Sequence, residues 1–170
     1  MYTYNYPRPA VTVDAILVSR NKSVLLIERG REPFKGKWAL PGGFIDMDEE
    51  LETACQRELE EETGLRVGEL KQFKAFGAVN RDPRHRTISV IFYAFTDEEL
   101  IPRAGDDASN AQWFPIEQLP ELAFDHQQIL DEFKAGVLGA FISWKQVLNW
   151  KIRSIIQIFR NHPTYNLFLY

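Results

Sequence analysis

Residues 43–65, GFIDMDEELETACQRELEEETGL, constrain this chain more than any other stretch. Residues 50–63 hold good helix formers without Pro or Gly, and Gly64 stands where a helix C-cap belongs. Asp46 or Asp48 can cap the start, and the early acids complement the positive end of the helix dipole. Leu51, Cys55 and Leu59 recur at i, i+4 and i+8, so they are expected to face a core. Glu58, Glu61 and Glu62 recur at i, i+3 and i+4 and crowd a neighbouring face. Such like charges repel by roughly a few tenths of a kcal/mol per pair unless something neutralises them. A hard divalent cation reverses that sign, and Mg2+ prefers oxygen ligands while keeping waters and substrate phosphate oxygens. Arg57 reaches Glu61 one turn on and can orient its carboxylate. An ordinary solvated acidic face is the competing explanation.

The spacing of the whole stretch carries more than the helix. Gly43 is followed after five residues by Glu49, then after seven by Arg57-Glu58-Leu59, then by Glu61-Glu62 and Gly64-Leu65. This resembles the Nudix box, G-x5-E-x7-R-E-U-x-E-E-x-G-U with U aliphatic, at every fixed position. The strand-like run 24–29 and the Trp38-Ala39-Leu40-Pro41-Gly42-Gly43 approach also resemble the family. The resemblance implies an α/β/α sandwich with a mixed β-sheet and the box as a loop-helix-loop. It implies hydrolysis of a diphosphate linked to another group, assisted by Mg2+, for which Mn2+ can substitute. By the same resemblance Glu58, Glu61 and Glu62 are metal ligands, and the Gly43 carbonyl is a further one. Arg57 and Glu49 hold the helix and its loop. The base that takes the water's proton is a box glutamate in some members and a loop acid in others. Here the loop candidates are Glu98, Glu99, Asp106 and Asp107, with Asp107 favoured because it precedes the last expected strand.

The rest of the chain is read from pattern. Runs 11–18 and 24–28 are β-rich and joined as a hairpin, 37–40 is a short strand, and 70–79 and 87–95 form a second pair. Residues 112–114 make a last short strand, and 115–119 and 125–134 read as helices, the second capped by Asp125. Together with the box helix this is an α/β arrangement.

Substrate choice must lie outside the box. Arg81, Arg84 and Arg86 stand between two expected strands, and Arg29 lies in a second basic cluster. Arginine forks bind phosphate oxygens in pairs, so a pyrophosphate clamp is one use and a solvated basic hairpin tip the other. The Arg81-Asp82-Pro83-Arg84 run, with Arg86-Thr87, Gly105-Asp106-Asp107-Ala108, Trp113-Phe114-Pro115 and Phe124-Asp125-His126, resembles ADP-ribose pyrophosphatase-type Nudix proteins. It also resembles the Nudix-like sensor domain of regulators of nicotinamide-cofactor genes. The expectation is therefore a small nucleotide substrate, with ADP-ribose cleaved to AMP and ribose 5-phosphate. A nucleoside triphosphate pyrophosphohydrolase and a non-catalytic ligand sensor are the alternatives. His85 is expected at the surface, while His126 either finishes a helix cap or points into the cleft.

Composition bounds these readings. At 170 residues, 45% hydrophobic and 26% charged, the chain suits one globular domain with a short appendage. We divide it at 132, with a domain over 1–132 and an extension over 133–170. All 24 acids lie in 1–132, which carries a net charge of −9, while 133–170 has no acid and a charge of +5. The acidic body argues against general nucleic-acid binding. The extension holds no uncharged run long enough to span a bilayer, so docking on the body or a homodimer partner ranks above membrane contact. A single cysteine, Cys55, and an N-terminus without an apolar leader fit a cytoplasmic protein.

Overall fold

The computed structural model describes residues 5–105 and 108–139. Asp106, Asp107 and most of the extension, with its dimer and membrane readings, lie outside the described residues. The chain divides into two units, Met1–Ile129 and Leu130–Tyr170. The first holds a sheet of seven strands and the box helix. In chain order these are β1 (Ala10–Ser19), β2 (Ser23–Arg29), β3 (Trp38–Ala39), β4 (Gly42–Phe44), α1 (Leu51–Thr63), β5 (Lys71–Phe76), β6 (Thr87–Thr96) and β7 (Ala108–Pro115). A second helix, α2 (His126–Phe133), runs across the division and continues as a π-helical turn, Lys134–Leu138.

The sheet is mixed, as expected. Its order is β3-β2-β1-β6-β5, with β4 also pairing β1 and β7 also pairing β2. β1 runs parallel to β6, while the β1–β2, β1–β4, β2–β7 and β5–β6 pairs are antiparallel. The period of two along β1 sends Val13, Ala15 and Leu17 to one face, where they join Ala54, Cys55 and Leu59 of α1 in a common core. The i, i+4 stripe read from the sequence is thus what fastens α1: Cys55 and Leu59 are buried and Leu51 packs on the edge of the same cluster. Each fully buried aliphatic side chain contributes roughly 1.5–3 kcal/mol, so α1 is held by packing on its apolar stripe.

Alternation sends the other β1 residues to the opposite face. That puts Asp14, 7% exposed, between Val13 and Ala15 in a largely apolar strand.

Two local expectations are corrected. Helix α1 is preceded by Glu50 at the cap position, with no side-chain cap bond, so neither Asp46 nor Asp48 caps it. The helix starts too late for either to reach the first free amides, and the Asp46 amide instead donates to Glu49 Oε1 at 2.7 Å. Residues 115–119 form no helix: Pro115 ends β7 and a turn follows, in which Ile116 donates back to the Lys22 carbonyl and Gln118 to that of Pro115. Gly42 and Gly43 lie in the short strand β4, where β1 offers them ladder partners at Asp14 and Val13. Gly64 does end α1 as expected, in the left-handed region with φ 66°, its amide donating to Glu60.

Candidate active site

A cleft of about 400 Å3 opens where β1, β4 and α1 meet the 81–84 loop and the start of α2. Its floor is set by a close approach. A methyl group on Gly43 would stand 2.5 Å from the Glu58 carboxyl, so only glycine lets β4 lie against that side chain. Next to it, the Gly42 amide donates to Glu62 Oε2 at 2.9 Å. Helix periodicity places Glu58 and Glu62 one turn apart, and the turn from β3 into β4 fixes both. Gly43→Ala is expected to lower turnover about tenfold or more by pushing Glu58 aside. Thermal stability should change little, since the clash is with the free end of a side chain. A large melting-temperature loss with unchanged turnover would contradict this.

Arg57 organises the acids. Its guanidinium takes Glu49 through both oxygens, at 2.6 and 3.1 Å, and reaches Glu58 at 2.8 Å and the Phe44 carbonyl at 3.1 Å. The expected link to Glu61 is present but longest, at 3.2 Å. Arg57 holds the Glu49 carboxylate below its ordinary pKa by hydrogen bonding. Glu58 moves the other way, raised by burial against the opposing pull of Arg57. Burial is also the main reason Glu62 is pushed up to about 8, helped by the nearby Glu58 and Asp14 charges and resisted by the Gly42 amide. Glu61 is largely exposed and does not line the cleft, but the same Arg57 nitrogen that holds Glu58 also holds it.

Whether a divalent cation suits these residues can be judged from them. Among the described residues no three His, Cys, Asp or Glu side chains converge into a ready-made cage. Mg2+ does not require one, being held by one or two carboxylates with waters and substrate phosphates. Glu58 and Glu62 are both oxygen donors whose ionised forms are disfavoured in this cleft, so a cation there relieves an existing strain. The donor set fits a hard cation.

The arginines expected to form a clamp are not equivalent. Arg81 is buried and its fork is closed on Asp125, at 2.9 and 2.7 Å. The Asp125 carboxylate, expected as a helix cap, is taken up by that pair. Arg84 forks onto the buried Asp82 at 3.0 and 2.7 Å and lies 5.3 Å from the Phe44 ring and 5.7 Å from the Phe124 ring. Burial works to raise the Asp82 pKa, but the Arg84 fork and amide outweigh it and hold the carboxyl below its ordinary value. Arg29 lies 4.8 Å over the other aromatic contact of this group, the Phe124 ring, and donates to the Pro33 carbonyl at 2.9 Å. Its pKa is lowered by burial and then by the Arg84 charge. Arg29, Arg81 and Arg84 all line the cleft. Arg86 does not; it donates to the Ala78 and Thr87 carbonyls. His85 is exposed, as expected.

Sequence reasoning missed Asp14, whose one signal is an acid inside the apolar run VTVDAILV. A buried carboxylate needs partners. Asp14 has Ser89 Oγ as a donor to one oxygen, and His126 Nε2 stands 3.8 Å from the other. It also missed Phe44 and Phe124, which carry no local mark of a cleft.

Known proteins resemble the chain over this same region. The family described as NUDIX domain matches residues 8–133. The chain is 44% identical over 129 residues to the ADP-ribose pyrophosphatase of Methanocaldococcus jannaschii, covering 75% of both chains. It is 34% identical over 135 residues to the ADPR responsive transcriptional repressor NtrR of Acinetobacter baylyi, covering 75% of this chain but only 54% of the repressor. Among solved structures, the NUDIX domain of Shewanella oneidensis NrtR complexed with ADP ribose is 31% identical. That match has a TM-score of 0.73 and covers 78% of this chain and 90% of that one. A MutT/nudix family protein from Enterococcus faecalis is 33% identical, with TM-score 0.71, over 81% of this chain and 65% of that one.

Proposed function

The chain belongs to the NUDIX family and is a Nudix hydrolase, and from that premise we propose that it cleaves ADP-ribose to AMP and ribose 5-phosphate. The observation that carries the reading is the meeting of Glu58 and Glu62 with Arg29 and Arg84 in one cleft. Carboxylates there can hold cations, and the arginines beside them can hold phosphate oxygens. The similarity to the M. jannaschii pyrophosphatase, over three quarters of both chains, supports ADP-ribose among diphosphate substrates.

In the reaction, water adds to one phosphorus, the bridging P–O bond breaks, and each product leaves with one phosphate. Mg2+, with Mn2+ as a substitute, would be held by Glu58 and Glu62, with Glu61 and the Gly43 carbonyl as further donors. When bound it would neutralise phosphate charge and make water a better nucleophile. Arg57 and Glu49 keep the helix and the 43–49 loop in register for those donors. Arg29 and Arg84 bind the diphosphate, and Phe44 and Phe124 offer flat apolar surface to the attached groups. Asp107, outside the described residues, is the proposed acceptor of the water's proton.

Two results test the substrate. In a Mg2+-dependent panel of ADP-ribose, other nucleotide sugars, dinucleotides and oxidised nucleoside triphosphates, ADP-ribose should give the highest kcat/KM. Preference for a triphosphate would overturn the choice. Arg84→Ala should raise KM for ADP-ribose about tenfold with kcat nearly unchanged. An unchanged KM removes Arg84 from the clamp. A second reading, ligand sensing without turnover, is favoured by the similarity to the NtrR repressor. Binding of ADP-ribose without hydrolysis in saturating Mg2+ would select it.

A further inference from the structure

His126 is buried, lines the cleft, and has no part in the chemistry above. A buried imidazole needs a partner for each ring nitrogen. Nδ1 accepts from the Leu40 amide at 2.9 Å, which leaves the single ring proton of the neutral form on Nε2, facing Asp14 at 3.8 Å. Burial keeps the ring below its ordinary pKa, and so keeps Nδ1 available as an acceptor.

Leu40 begins the turn that ends at the glutamates. Pro41 has no amide of its own, and its carbonyl accepts from Ala15 at 2.8 Å. Two residues beyond Leu40, the Gly42 amide donates to Glu62, and Gly43 lies against the Glu58 carboxyl. The residue before His126 is Asp125, locked by the Arg81 fork. A run of short contacts thus leads from Arg81 through the start of α2 and the Leu40 turn to Glu62.

We propose that His126 is a positioning residue which, through the Leu40 amide, aims the Gly42–Gly43 backbone at Glu62 and Glu58 and thereby sets their affinity for a divalent cation. The inference rests on the metal-dependent hydrolase reading. A histidine that only filled space would be replaceable by any side chain of like volume.

The test compares the full chain with H126N and H126L. Asparagine sets an oxygen where imidazole Nδ1 stands and keeps an acceptor for Leu40, whereas leucine fills the space without one. Mn2+ binding is titrated by calorimetry with no nucleotide present, and kcat and KM are measured separately. H126L should bind Mn2+ about tenfold more weakly, with kcat at fixed low metal falling in step and KM for nucleotide within about twofold. H126N should recover most of the loss. Equal Mn2+ affinity in wild type and H126L, or H126N binding no tighter than H126L, overturns the inference. If H126L does not fold, native-state hydrogen exchange decides: the Leu40 and Gly42 amides must both be protected, and fast exchange at either overturns it. Wild-type protein that binds no Mn2+ fails at the hydrolase reading itself, and the inference falls with it.

Discussion

Glu62→Gln is expected to cut turnover of a diphosphate substrate by about a thousandfold or more while making the metal-free protein more stable at alkaline pH. The activity loss follows from replacing a charged oxygen donor by a neutral amide in the cleft. The stability gain follows from linkage. Burial and the Glu58 and Asp14 charges raise Glu62 from 4.5 to about 8 in the folded protein. Between those values the folded state keeps a proton that the unfolded state has lost. Stability of the metal-free wild type should therefore fall as pH rises from about 4.5 to about 8, by on the order of a few kcal/mol in total, and level off above. Glutamine mimics the protonated form and removes that slope, so the variants converge near pH 4 and separate by pH 8. Mg2+ should reverse the order, stabilising wild type more than Glu62→Gln. Melting temperatures across pH, with and without Mg2+, read all of this. A flat profile in wild type would refute the strained carboxylate, and near-normal turnover in the variant would refute its proposed role.

Arg81→Met should destabilise the protein by about 3–5 kcal/mol, because it strands the Asp125 carboxylate without its counter-charge. The Arg81 side chain is 4% exposed and both Asp125 oxygens accept from it. The double variant Arg81→Met with Asp125→Leu should recover much of that loss, since removing both charges costs far less than removing one. Urea unfolding of the two single variants and the double gives the coupling directly. A clamp on substrate behaves differently: Arg81→Met would leave stability intact and raise KM. That result would return Arg81 to the phosphate-binding set.

How much of this was readable in the chain depends on the range of the interaction concerned. The face of α1 that enters the core was legible because Leu51, Cys55 and Leu59 follow one another at about one turn each. Gly64 was legible for the same reason, as its amide closes on Glu60. The Asp46 and Asp48 caps failed within five residues of the helix, where a short shift in its start decides which side chain can reach. The expected helix at 115–119 failed because β2 and the turn before it bind that segment: Ser23 pairs with Pro115, and Lys22 takes the Ile116 amide. Tertiary pairing outweighed a local preference for helix.

By itself the sequence determined the box: the spacing from Gly43 to Leu65, the carboxylates on one helix, and with them membership of a hydrolase family. These are local quantities, set by helical periodicity and backbone stereochemistry. The tertiary structure alone decided which acids and arginines share a cleft. It set Glu58 and Glu62 in the lining of the cleft and left Glu61 exposed beside them. It closed Arg81 on Asp125, 44 residues away, and left Arg29 and Arg84 beside Phe44 and Phe124. It also placed Asp14 and His126 together from the first strand and the last described helix. Charge type is written in the residue, but its partner and its burial are properties of the packed chain, and those two decide whether a charge locks the fold or meets a substrate.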